Sequence, residues 1–135
     1  MNSYYIKFPN ESAILVSPLI QINSPTQLCL DFWYHMYSDS TAVVGSLEVS
    51  LIETAQTDNS MRTVWSRAGG QSKNQTEWLN AQINIDTAST SFRIAFKAQR
   101  YLNFYGDIAL DDVSFSYGEC SNPDEQQSKF YFYLV

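Results

Sequence analysis

The chain is poor in the residues that most often carry metal, nucleophilic or nucleic-acid chemistry. In 135 residues there is one histidine, there are two cysteines, and nowhere is there a run of basic residues. Binding a phosphate backbone needs clustered Lys and Arg; here 8 basic residues are scattered among 14 acidic ones, leaving a formal net charge of -6, so nucleic acid is not an expected partner. A lone His35 with Cys29 and Cys120 far apart cannot form a zinc site of the CxxC type. No stretch reaches the roughly 20 apolar residues of a membrane-spanning helix. The opening MNSYYIKFPNES also has no charged segment leading into an apolar one, the pattern of an export signal. Repeats and low-complexity linkers are missing too, and the length suits a single domain with a sizeable core.

What the chain does have is aromatics, 15% of all residues, and these suit strands. Period-two alternation recurs between turn signals. Tyr4, Ile6 and Phe8 alternate before PNES; AILV ends at SPLI; Leu28, Leu30, Phe32, Tyr34 and Met36 form a long run. Leu47, Val49 and Leu51 follow, then TVWSR before a Gly-Gly turn, then Leu79 to Ile85, Phe92 to Ala98, and GDIALDDVSF. About eight strands at short spacing, with no stretch of helical period, predict an all-β sandwich or jelly roll with mostly antiparallel pairing. Polar positions such as Ser46, Glu48 and Ser50 are expected to face solvent.

The segment Gly106 to Phe115 breaks its own rhythm. Ile108 and Leu110 share one parity, Val113 and Phe115 the other, and the change falls at Asp111 and Asp112. A one-residue change of phase in a strand implies a register break or β-bulge. Two readings stand for the acids. Either one aspartate turns inward and accepts backbone N–H bonds at the corner, or Asp107, Asp111 and Asp112 contribute to a site for a hard cation such as calcium.

Catalytic readings are weak. A triad would have to use His35, inside FWYHMY, with a serine beside it; its position predicts a partly exposed strand histidine instead. Paired catalytic carboxylates about 5 Å apart or further are not offered by Asp107, Asp111 and Asp112, nor by Glu48 and Glu53, which have opposite parity. No enzyme activity is expected. The segment RYLNFYGD is rich in large apolar residues, and Tyr101, Leu102, Phe104 and Tyr105 either lid one end of the sandwich or form a contact patch.

For the cysteines two arrangements stay open: a disulfide in an oxidising compartment, stabilising by about 3 to 5 kcal/mol, or two reduced buried thiols. Sequons at Asn10 (NES) and Asn74 (NQT) tilt toward secretion and glycosylation. After Cys120 the composition changes, so residues 121–135 read as a C-terminal tail. It starts polar and ends in a β-prone apolar run that either packs on a sheet edge, is the stub of something longer, or reflects where the chain was cut.

SPLI, CLDFWYHMY, GSLEVSL, VWSRAGGQ, EWLNAQINI, FRIAFKAQR and GDIALDDVSFSYGEC, in this order, resemble a MAM domain from about Tyr4 to Cys120. The resemblance implies a jelly-roll sandwich of two antiparallel sheets over residues 1–120. It also implies that Cys29 and Cys120 match the family's last two cysteines, which pair with each other. The implied role is non-catalytic: extracellular protein interaction and cell adhesion, often homophilic, within larger membrane or secreted proteins. Any family cation would draw on Asp107, Asp111 and Asp112. The usual opening, with two more cysteines and a DDFDW-like segment, has no match, so the chain is expected to lack the N-terminal part of the domain. A cation site that needs that part would be incomplete. The alternative from another class is a carbohydrate-binding or carbohydrate-cleaving jelly roll; Trp33, Trp65 or Trp78 exposed on a sheet face would favour it, and their burial would oppose it.

Overall fold

The computed structural model describes residues 12–38, 44–53, 61–99, 106–120 and 129–131, with the backbone alone at 106, 107 and 129–131. Among the described residues nine strands follow one another: β1 (Ser12–Val16), β2 (Ile20–Gln21), β3 (Gln27–Ser38), β4 (Ser46–Glu53), β5 (Met61–Ala68), β6 (Leu79–Asp86), β7 (Ser91–Gln99), β8 (Gly106–Tyr117) and β9 (Lys129–Tyr131). They form two antiparallel sheets. One has the order β1-β7-β4-β5, with β2 also on β7; the other runs β6-β3-β8-β9. The expected two-sheet sandwich is the fold observed. The run Tyr4 to Phe8 lies outside the described residues, and β9, within the segment read as a tail, pairs with β8.

Alternation builds the core. Along β6 the inward residues Ala81, Ile83 and Ile85 are buried while Asn80, Gln82, Asn84 and Asp86 are exposed. Leu28, Leu30, Phe32, Tyr34 and Met36 of β3 meet Leu47, Val49 and Leu51 of β4 and Phe92, Ile94 and Phe96 of β7 between the sheets. Phe32, fully buried, joins the layers: its ring stands edge-on to Phe96 at 5.2 Å and to Trp65 at 5.3 Å. Edge-to-face contacts of this kind add about 0.5–1.5 kcal/mol each beyond the area they bury.

Two buried polar groups, Ser17 and Glu53, are satisfied at strand ends. Ser17 lies where β1 hands over to β2, next to Pro18, which has no N–H to give β7. The Ser17 Oγ instead accepts from Ile94 N at 2.9 Å, and Ser17 N donates to Ile94 O at 2.8 Å. Glu53, 5% exposed at the end of β4, accepts from Ala88 N at 2.6 Å and Ser89 N at 3.1 Å through Oε1, tying β4 to the β6–β7 turn. Ser46 and Glu48 are partly exposed as expected, but Ser50 is buried. It sits in a central strand between Ala95 and Thr63, where so short a side chain does not rise past its neighbours.

The phase change in β8 is a bulge. Asp31 of β3 faces Ser114, while Trp33 faces Asp111, so Phe32 is opposed by two residues, Asp112 and Val113. Asp112 takes φ 51°, left-handed backbone that Asp tolerates better than most residues. The expected inward aspartate is not found: both Asp111 and Asp112 are exposed. Asp111 Oδ1 does accept a backbone donor, but it is the neighbouring Asp112 N, at 2.8 Å. The bulge extends the core by changing which parity points in, from Ile108 and Leu110 to Val113 and Phe115, and both carboxylates thereby stay hydrated.

Candidate functional site: the outer face of the smaller sheet

Residues of β3 that alternate with its core positions, Asp31, Trp33, His35 and Tyr37, form the spine of the outer face. Their cross-strand neighbours on one side are Gln82 for Asp31 and Asn80 for Trp33; on the other, Ser114, Asp111, Ala109 and Asp107 face them in turn. Asp31 is held by two amides: Asn80 Nδ2 donates to Oδ1 at 2.7 Å and Gln82 Nε2 to Oδ2 at 3.2 Å. Asn80 Nδ2 also donates to Phe32 O at 3.1 Å. These bonds tie the carboxylate to both amides across the β3–β6 pair.

Beyond Trp33 the face becomes aromatic. Trp33 is 41% exposed and Trp78, just before β6, is 39% exposed. Between the rings of Tyr37 and Trp78, with centroids 6.2 Å and 5.6 Å away, lies His35. Its position on an outer sheet face predicts partial exposure, yet it is only 8% exposed, and its Nε2 is buried without a hydrogen-bond partner among the described residues. The cause is the loop between β5 and β6. Past Tyr34, where β6 ends its pairing, Gln71 N and Ser72 N both donate to Met36 O (3.0 and 2.9 Å), and Met36 N donates to Ser72 Oγ at 3.1 Å. The loop thus runs beside β3 and delivers Trp78 against the imidazole. Sequence alternation gives no signal of this, because the cover comes from a loop far along the chain.

An imidazole between two rings, its Nε2 unpaired, is not arranged as the base of a nucleophilic triad, which needs a hydroxyl on one nitrogen. Trp65 belongs to the core side: it meets Phe32 and Tyr34 edge-on, with Arg67 4.8 Å from its ring. The structure therefore separates the three tryptophans, placing Trp33 and Trp78 outside and Trp65 largely within.

At the far end of the same face Cys29 and Cys120 form a disulfide, with S–S 2.08 Å and Cα–Cα 4.8 Å, closing 91 residues of sequence. Gly118, at φ 90°, turns the chain back after β8 and donates its N–H to Gln27 O at 2.8 Å; Cys120 N then donates to Asn84 Oδ1 at 2.7 Å. The pairing implied by resemblance is the one present.

The remaining predicted residues divide as follows. Asn74 is exposed in the β5–β6 loop. Asp107, by backbone register, faces Tyr37. Asn10, Tyr101, Leu102, Phe104 and Tyr105 lie outside the described residues. Among the described residues no three His, Cys, Asp or Glu side chains converge as a metal site, and no helix is long and apolar enough to cross a membrane.

Residues 3–121 match the family model described as MAM domain, meprin/A5/mu. The chain is similar to human MAM domain-containing glycosylphosphatidylinositol anchor protein 2, 35% identical over 125 residues, 87% of this chain and 12% of the relative. It is also similar to human MAM domain-containing protein 2, 33% identical over 129 residues, 94% of this chain and 17% of the relative. Thyroid hormone-induced protein B of Xenopus laevis is 36% identical over 104 residues, 76% of this chain and 14% of that protein. The chain thus spans under a fifth of the length of these relatives. With the two-sheet sandwich, the Cys29–Cys120 bridge and the bulge at Asp112–Val113 in place, the matched span makes the conclusion direct: this chain belongs to the MAM domain family.

Proposed function

We propose that the chain is a non-catalytic extracellular interaction module whose working surface is the outer face of β6-β3-β8, and that its partner is a second copy of itself. The supporting observation is charge separation between the sheets. The strands β6, β3, β8 and β9 carry Asp31, Asp86, Asp107, Asp111 and Asp112 against Lys129 alone. The other sheet carries Arg62, Arg67, Arg93 and Lys97 against Glu48 and the buried Glu53. An acidic face with two exposed tryptophans complements the outer face of the other sheet in a neighbouring molecule, where Arg93 and Lys97 alternate with the core residues of β7. Such a contact is heterologous, using different surfaces on the two copies, with Trp33 and Trp78 as anchors. The glycosylphosphatidylinositol anchor in the name of a relative and the disulfide support a place at the cell surface.

Sedimentation over a range of protein concentrations, at low and high salt, tests this. Self-association that weakens with salt and is lost in Trp33→Ala/Trp78→Ala is expected; a strict monomer at high concentration refutes the second-copy reading. Carbohydrate binding is the second reading, favoured by one observation: Trp33 and Trp78 stand exposed beside the planar amides of Asn80 and Gln82. Binding to an immobilised glycan panel by a monomeric protein decides for it.

A further inference from the structure

We infer that Asn74 carries an N-linked glycan, and that this glycan screens the Trp78 side of the outer face and so limits what can dock there. The screening half of the inference rests on the reading of that face as the working surface; the modification itself does not.

The sequon Asn74-Gln75-Thr76 is folded into a turn whose geometry leaves the acceptor atom uncommitted. Asn74 Oδ1 accepts from both Thr76 N and Thr76 Oγ1, each at 2.9 Å. Nδ2 donates no hydrogen bond among the described residues. Residues 73 to 76 are all exposed. Replacing one Nδ2 hydrogen by a sugar therefore breaks no bond of the turn, because the turn is built on the oxygen. In the transfer, Nδ2 forms a bond to the anomeric carbon of an oligosaccharide carried on a polyprenyl diphosphate. The bond from that carbon to the diphosphate oxygen breaks, the diphosphate leaves with the electron pair, and Nδ2 gives up one of its two protons. The Cys29–Cys120 disulfide marks the chain as one that matures where such transfer occurs.

The position of the turn is what couples modification to the face. Glu77 N donates to Asn74 O at 3.4 Å, closing a four-residue turn, and Lys73 N donates to Glu77 Oε2 at 2.7 Å. A turn of that kind holds its end Cα atoms within about 7 Å, and Trp78 is one further step of about 3.8 Å. Asn74 is thus within roughly 11 Å of Trp78, inside the reach of a branched oligosaccharide. The loop is pinned on both sides, by Gln71 and Ser72 to Met36 and by the start of β6 at Leu79. The attachment point accordingly keeps its place relative to His35 and Trp78.

The test uses the full chain secreted from a eukaryotic host, with peptide-resolved mass spectrometry so that Asn10 and Asn74 are scored separately. Hexose-containing mass on the Asn74 peptide is expected, absent in Asn74→Gln and Thr76→Ala and retained in Thr76→Ser. An unmodified Asn74 peptide overturns the inference and leaves the reading of the face intact. Tryptophan fluorescence quenching by acrylamide and by a bulky polymer-bound quencher is then compared before and after enzymatic glycan removal. Removal is expected to raise bulky quenching more than acrylamide quenching, and a Trp78→Ala variant is expected to lose most of that difference. Equal quenching before and after removal overturns the screening. If quenching responds but the sedimentation of the deglycosylated chain is unaffected by Trp33→Ala/Trp78→Ala, the face reading fails while the glycan and its screening stand.

Discussion

The indole of Trp78 and the imidazole of His35 lie 5.6 Å apart, centroid to centroid, with their planes inclined by 42°. The pair joins a loop to the outer face of β3, so that the chain's only histidine is buried on the same face as the exposed Trp33. An aromatic cover of this kind can be removed without disturbing the core between the sheets.

Trp78→Ala is expected to uncover His35. Modification of the imidazole by diethyl pyrocarbonate should be slow in the parent and about tenfold faster in the variant if the cover contributes ~1.4 kcal/mol. Equal rates would mean that Trp78 does not shield the imidazole.

Loss of the disulfide, by Cys29→Ser/Cys120→Ser, should lower the unfolding free energy by about 3 to 5 kcal/mol, given the long loop it closes. Urea unfolding measures this, and non-reducing mass spectrometry of the parent should show no free thiol.

Phe32→Ala should cost about 3–5 kcal/mol, more than any single outer-face change, because it leaves Phe96 and Trp65 facing a cavity. Thermal unfolding compared with Trp33→Ala, on the same strand but the exposed side, gives the contrast.

Asp112→Gly should be close to neutral and Asp112→Val destabilising by about 1–2 kcal/mol, since φ 51° suits glycine and strains a β-branched residue. If both variants unfold at the same urea concentration, backbone conformation is not what Asp112 supplies.

Glu53→Ala leaves the N–H groups of Ala88 and Ser89 without their shared acceptor. About 1–3 kcal/mol of stability should be lost, with faster amide exchange at those two positions by NMR.

Much of the sandwich was legible because burial on one face imposes period two, and β3, β6 and β7 keep that period throughout. The break at Asp111–Asp112 announced the bulge for the same reason: a strand cannot change parity without an extra residue. The direction of the two carboxylates was not legible. Parity says which residues must be buried, and at a bulge it says nothing about the extra one, which here adopts left-handed backbone and leaves both acids in water. His35 and Ser50 depart from simple alternation in the same sense. Their burial depends on neighbours far along the chain, Trp78 of a loop in one case and Ala95 and Thr63 of flanking strands in the other.

Fold class, family, the exclusion of a CxxC-type zinc site and the position of the bulge follow from local alternation, composition and motif order, and so are written in the amino-acid order. Which tryptophans face outward, how the β5–β6 loop covers His35, and the meeting of Cys29 with Cys120 emerge only when the chain is folded. Those relationships join residues tens of positions apart, and their geometry is set by strand register and by how the two sheets close on one another. Local pattern carries no information about either.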